Sequence, residues 1–183
     1  MSDKLGFNKV KAVIFDVDGV FTDGRTWQDA QGIWRRHFSV RDTMAIRALR
    51  KADVLVIVLT SASSPEIRQH MTFVGVDQYQ DNCSDKDAAI DALSKQYGFS
   101  RAETSFVTAQ HLDLELLKSV GYGITVPFAN EDLKEAAALV TTQPGGEGAV
   151  AEACFHILKA LKVSGENPNV IGRARKHRRS ASF

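Results

Sequence analysis

The sequence predicts an α/β protein with a central parallel sheet, on three observations. Short β-branched apolar runs occur at Lys11–Phe15, Val54–Leu59, Thr104–Thr108 and Tyr122–Val126. Longer segments of helical period separate them, which is the order that βαβ units impose. At 183 residues, with 44% hydrophobic and 25% charged side chains, the chain has globular composition and the length of one domain with a tail.

The first strand, Lys11–Phe15, is followed by an irregularity. Between Arg25 and Phe38 two strand-like arms flank Asp29-Ala30-Gln31-Gly32, the pattern of a β-hairpin inserted after strand one. The hairpin is too short to build a large cap over a site. Its Trp27, Ile33, Trp34 and Phe38 need cover, either from their own domain or from another subunit. Helices are expected over Arg41–Lys51, Pro65–Val74, Lys86–Tyr97, Leu112–Val120, Asn130–Ala137 and Gly148–Leu161. Ser63-x-x-Glu66 has capping-box spacing, with Pro65 in the first turn, and Ser84 or Asp85 can cap the helix that carries Lys86. The segment Ser164-Gly165-Glu166-Asn167-Pro168-Asn169 reads as a linker, which sets residues 1–163 as the domain and 164–183 as linker and basic tail.

Charge is unevenly distributed along this chain of net charge +1. Arg173, Arg175, Lys176, Arg178 and Arg179 crowd the end and leave the body mildly acidic. Without interleaved aromatic residues this tail reads as a solubilising end, and nucleic acid is not the expected partner. Cys83 and Cys154 are too few for a disulfide framework and read as small buried hydrophobes. The N-terminus lacks a signal-peptide core, and no apolar run is long enough to cross a bilayer. A cytoplasmic protein without membrane attachment is expected.

Candidate chemistry begins where strand one ends, in Asp16-Val17-Asp18-Gly19-Val20-Phe21-Thr22-Asp23-Gly24. Ligands of a parallel sheet bind beyond the carboxyl ends of its strands. With a period of two, Asp16 and Asp18 project to the same side if strand geometry persists. Paired carboxylates invite a hard cation such as Mg²⁺, held together with a substrate phosphate. One carboxylate can attack phosphorus to form an aspartyl-phosphate while its neighbour handles protons.

These residues resemble the first motif, Asp-x-Asp-Gly-x-x-Thr, of the haloacid dehalogenase superfamily of phosphohydrolases. The longer string, the hairpin, Phe38-Ser-Val-Arg41-Asp42 and Pro144-Gly-Gly-Glu-Gly-Ala-Val150 resemble one branch of it. That branch comprises the 3-deoxy-D-manno-octulosonate 8-phosphate phosphatases and related nonulosonate-9-phosphate phosphatases. The resemblance covers about residues 9 to 162 and implies a capless, Rossmann-like three-layer sandwich. It also implies a homotetramer in which each hairpin reaches a neighbour's active site.

The resemblance makes Asp16 the nucleophile and a metal ligand. It makes Asp18 the general acid/base, whose main-chain carbonyl also binds the metal. Thr60 becomes the phosphate-binding hydroxyl, followed by Ser61 and Ser63, which lead into a helix N-terminus that favours anions, and Lys86 the cation that neutralises the transferred group. Arg41, with Asp42, falls at the substrate end. The fourth motif, usually Gly-Asp-Asp-x-x-Asp, reads Thr108-Ala109-Gln110-His111-Leu112-Asp113. Asp113 is therefore carried over as a ligand, whereas the expected ligand before it is Ala109. A water, Asp113 or the Gln110 carbonyl is left to complete the ion's shell. His111 reads as an exposed helix-start histidine, with a ligand for softer Zn²⁺ or Mn²⁺ as the alternative. Arginines expected after Thr60 and after the glycine-rich turn are replaced, the latter by Ala151.

The expected function is metal-dependent hydrolysis of a small phosphorylated acidic sugar or related metabolite through an aspartyl-phosphate. The alternative is a catalytically weak or silent member that binds a phosphorylated ligand or a partner protein.

Overall fold

The computed structural model describes residues 6–164. Strands β1 (Ala12–Phe15), β4 (Leu55–Leu59), β5 (Gln78–Gln80), β6 (Thr104–Val107), β7 (Tyr122–Thr125) and β8 (Leu139–Val140) form one sheet in the order β5-β4-β1-β6-β7-β8. Every pairing is parallel, with Ala12 opposite both Leu55 and Thr104, and Phe15 opposite both Val58 and Val107. β1 and β4 are buried throughout, as parallel strands covered on both faces must be. The four strands expected from the sequence form within a residue of their expected bounds.

Side-chain alternation along β1 divides the core into two layers. Val13 and Phe15 face α1 (Val40–Lys51), α2 (Pro65–Val74) and α6 (Ala149–Ser164), among Ile46, Met71 and Ile157. Ala12 and Ile14 face α3 (Lys86–Tyr97), α4 (Leu114–Ser119) and α5 (Glu131–Ala136), among Ile90, Leu117 and Leu133. The result is a three-layer sandwich with no large cap, as expected. Chain order runs from β1 outward through β4 to β5, then returns to β6 on the other side of β1. That reversal opens a crevice beyond the carboxyl ends of β1 and β6.

The sequence pattern does not reveal β5 and β8. They are edge strands of three and two residues, and Gln78-Tyr79-Gln80 carries no apolar run; short polar edges resist pairing with other chains. The capping box expected at Ser63 is not formed. Ser64 occupies the cap position without a side-chain hydrogen bond, which leaves Glu66 one residue short of the box position, and Glu66 pairs with Arg36. Asp85 does cap α3, accepting the Ala88 N–H at 2.9 Å, a contact worth about 1 kcal/mol. A 3₁₀ turn, His111–Asp113, replaces the expected first turn of α4.

The hairpin is shorter than the sequence suggests, with strands of two residues each, β2 (Trp27–Gln28) and β3 (Trp34–Arg35). Its turn is organised by Asp29, whose carboxylate accepts the N–H groups of Gln31 and Ile33 and the Arg35 Nε. Phe38 is covered within the protomer by stacking on His70, ring centroids 3.9 Å apart. Trp27, Ile33 and Trp34 remain about half exposed. Residues 165–183, with the basic cluster Arg173–Arg179, lie outside the described residues. Among the described residues no helix is long and apolar enough to cross a membrane.

Candidate functional site

Three strand ends supply the site. β1 delivers Asp16, β4 delivers Thr60, and β6 delivers Thr108 and the turn that carries Asp113. Lys86, the first residue of α3, enters from the side and is 8% exposed. Its ammonium lies 3.2 Å from Asp16 Oδ1 and 2.7 Å from Asp113 Oδ2. Thr108 donates its hydroxyl to the same Asp113 oxygen at 2.7 Å. Two buried carboxylates thus share one buried cation, and the Thr108 hydroxyl fixes the second acid.

Burial pushes the Asp16 carboxyl up to about 6, with Asp113 adding to the rise, while Lys86 and the Val17 N–H pull in the opposite direction. A carboxylate in this state is ionised at neutral pH yet poorly solvated, which suits a nucleophile.

Asp18 faces a different set of partners. Arg36, on the strand-exit side of the hairpin, donates Nε to Asp18 Oδ1 at 2.7 Å and Nη2 to Oδ2 at 3.3 Å, while its Nη1 reaches Glu66 at 2.9 Å. Thr22 also donates to Asp18 Oδ1 at 3.3 Å. The hairpin and the start of α2 are therefore tied to the second acid of the site. Asp16 and Asp18 share the wall of one cleft of about 550 Å³, together with Thr60, Ser61, Lys86 and Asp113. A second cleft of about 350 Å³ adjoins it and is lined by Asp18, Gly19, Arg25, Gln110, Phe128 and Glu147.

Glycine is required at the junction of these clefts. Gly19 has φ of 85°, and a Cβ there would stand 2.8 Å from the Ala109 Cβ. Gly145 backs against the same turn, where a Cβ would collide with the Gly19 carbonyl.

The fold thus brings Asp16, Asp18, Thr60, Ser61, Lys86 and Asp113 together. It leaves Arg41 aside: that guanidinium lies beside Gly148, its Cζ 3.4 Å from where a Cβ would stand, and Arg41 lines neither cleft of the protomer. Thr60 is buried and accepts the Ala62 N–H at 3.2 Å, with Ser61 exposed beside it. His111 is half exposed and sits 3.9 Å from Asp132, as an exposed histidine would. Sequence reasoning missed Arg36, Thr108 and Glu66. Arg36 had no available signal, because its position opposite Asp18 depends on how the hairpin folds back.

The donor set around Asp16 consists of oxygens, which suits a hard divalent ion. Among the described residues no three His, Cys, Asp or Glu side chains converge to cage a metal on their own. Asp113 is engaged by Lys86 and Thr108, and Asp18 by Arg36. The Asp16 carboxylate and the Asp18 main-chain carbonyl are oxygens of the kind a hard divalent ion takes, and an ion held by so few protein groups would keep several waters.

Asp42 is the other buried acid. It lies in the first turn of α1 and accepts the Ala151 N–H of α6 at 2.8 Å, while its second oxygen has no partner. Burial raises its carboxyl to about 6, against the Ala151 N–H and Arg41, which lower it. Below the usual carboxylate range the group is neutral in both folded and unfolded chains. As pH rises the unfolded chain ionises first, so stability is lost between pH 3.8 and about 6 and is not regained above that. Asp42→Asn keeps the acceptor and cannot ionise. Thermal unfolding should show the variant gaining on the wild type by about 2 kcal/mol between pH 4.5 and pH 8. A difference that stays constant with pH would contradict this account.

A parallel sheet with acids and a lysine gathered at its switch point is the setting of an α/β enzyme site, and comparisons give its class. The family of haloacid dehalogenase-like hydrolases matches residues 80–153. The 3-deoxy-D-manno-octulosonate 8-phosphate phosphatase of Haemophilus influenzae is 34% identical over 160 residues, 87% of this chain and 88% of that protein. The structure of the enzyme of that name from Moraxella catarrhalis, in complex with magnesium ion, phosphate ion and KDO, superposes with a TM-score of 0.82. It is 26% identical and covers 93% of this chain and 95% of its own. The cobalt-bound form of the Haemophilus influenzae phosphatase gives 0.80 at 33% identity, covering 85% and 91%. The chain belongs to the haloacid dehalogenase-like hydrolases, in the 3-deoxy-D-manno-octulosonate 8-phosphate phosphatase branch.

Proposed function

We propose that this protein is a divalent-metal-dependent phosphatase acting on a small phosphorylated acidic sugar. The observation that carries the reading is Lys86 between Asp16 and Asp113, in a cleft at the carboxyl ends of β1, β4 and β6. The relatives named above supply the substrate class.

An Asp16 oxygen attacks phosphorus, and the phosphorus–oxygen bond to the sugar breaks. Asp18 protonates the departing alkoxide. Water then attacks the aspartyl-phosphate, Asp18 takes its proton, and inorganic phosphate leaves with Asp16 regenerated. Lys86 offsets negative charge on Asp16 and on the phosphoryl oxygens throughout. Thr60 and Ser61 border the phosphate end of the cleft, and Arg41 is assigned to substrate only within an assembly of subunits. Asp16 and the Asp18 carbonyl would hold the ion, Mg²⁺ in the first instance and Mn²⁺ or Zn²⁺ as substitutes, with Asp113 behind them. Once bound, the ion polarises the phosphoryl group and neutralises its charge.

The exposed Trp27, Ile33 and Trp34 support a homotetramer in which the hairpin contacts a neighbour. A cytoplasmic setting belongs to the same reading, supported by two cysteines that are both buried and free. The test is phosphate release from a panel of sugar phosphates, including 3-deoxy-D-manno-octulosonate 8-phosphate, with each metal. Turnover that requires metal supports the reading, and turnover insensitive to chelation would overturn it.

Ala109 favours a second reading, a weak or silent member that binds a phosphorylated ligand. It stands beside Gly19 and brings no oxygen to the cleft. Ala109→Asp is then expected to tighten Mg²⁺ binding, measured by calorimetry, at least about tenfold. Unchanged affinity would mean that residue 109 does not reach the ion.

A further inference from the structure

Gln110 stands where the two clefts meet and belongs to both walls. Its side chain is exposed, on the connection between β6 and the 3₁₀ turn. Its amide nitrogen nevertheless reaches across to the Asp18 main-chain carbonyl, 92 positions earlier, and donates to it at 3.2 Å. That carbonyl accepts no main-chain N–H from the described residues. The adjacent side chain, Ala109, packs a methyl group against the Gly19 backbone and offers the same peptide nothing polar. The positive end of the Gln110 amide therefore satisfies the oxygen that a hard cation would take.

We infer that the Gln110 amide is a tethered stand-in for the divalent ion at the Asp18 carbonyl, so that side chain and ion compete for one oxygen. The inference rests on the metal-dependent reading above and adds a residue which that reading does not use. An arriving ion must displace the amide and forfeit one net hydrogen bond, equivalent to about a two- to tenfold weaker binding constant. A phosphoryl group that shares the ion supplies oxygens the protein lacks. Ion and phosphate therefore strengthen each other's binding by the same factor.

The experiment is calorimetric titration of Mg²⁺ into the full-length protein and into Gln110→Ala and Gln110→Met, with and without saturating inorganic phosphate. Gln110→Met retains length while removing the donor, and both variants change an exposed residue. The Mg²⁺ Kd is expected to fall about two- to tenfold in both variants without phosphate. An unchanged or larger Kd in either variant overturns the inference while leaving the metal-dependent reading intact. No Mg²⁺ binding to any form, even with phosphate present, removes that reading and this inference with it.

Discussion

Asp16→Asn is expected to abolish phosphate release, by about 10⁴-fold or more, without unfolding the protein. An amide of the same shape cannot form the acyl-phosphate bond. It can still accept a hydrogen bond from Lys86, whose other partner, Asp113, remains at 2.7 Å. The effect on stability runs the opposite way. Asp16 is 3% exposed and titrates at about 6, so ionising it in the metal-free folded protein at pH 8 costs about 3 kcal/mol relative to the unfolded chain. Asparagine removes that cost. Thermal unfolding at pH 8 should therefore place the variant at or above the wild-type Tm, while at pH 4.5, where folded Asp16 is neutral, the advantage should shrink to about a third. Release that survives within tenfold would rule out Asp16 as nucleophile. A variant that melts well below the wild type at pH 8 would contradict the burial account of its titration.

The order of strands and helices was legible because each long element carries its own period. Val54–Leu59 can be little else than a buried strand, and Gly75 and Gly98 close α2 and α3 where the helical pattern stops. β5 and β8 were not legible, since at three and two residues their strand character comes from the neighbour that pairs with them. The same division holds at the site. Asp16 and Asp18 announce themselves by spacing, and Lys86 becomes visible through resemblance. The partners that decide their states come from distant segments: Arg36 through the folded-back hairpin, Thr108 from the end of β6, and Gln110 across 92 positions. No local pattern encodes such contacts. Arg41 shows the converse, a residue prominent in the sequence that the protomer keeps out of both clefts.

Lys86→Met should lower turnover by about 10² to 10³-fold and also destabilise the fold by about 3–5 kcal/mol near pH 8. The two losses have one physical origin. Asp16 and Asp113 are both nearly buried, and Lys86 is the cation they share. Without it each carboxylate is left in low dielectric facing the other, and the attraction that holds the Asp16 titration down is gone. Protonation relieves this, so the stability deficit should shrink as pH falls below about 6 and grow as pH rises. A second substitution separates structure from catalysis. In Lys86→Met/Asp113→Asn a buried carboxylate is removed together with its cation, and Thr108 still has an acceptor at residue 113, so stability should recover by more than the single variants predict on addition. Turnover should not recover, because no ammonium faces the transferred phosphoryl group. If denaturant melts and phosphate-release rates of the double variant recovered together, Lys86 would be a structural counter-ion alone. If stability returns while turnover stays below that of Asp113→Asn alone, its ammonium acts on the reacting phosphate.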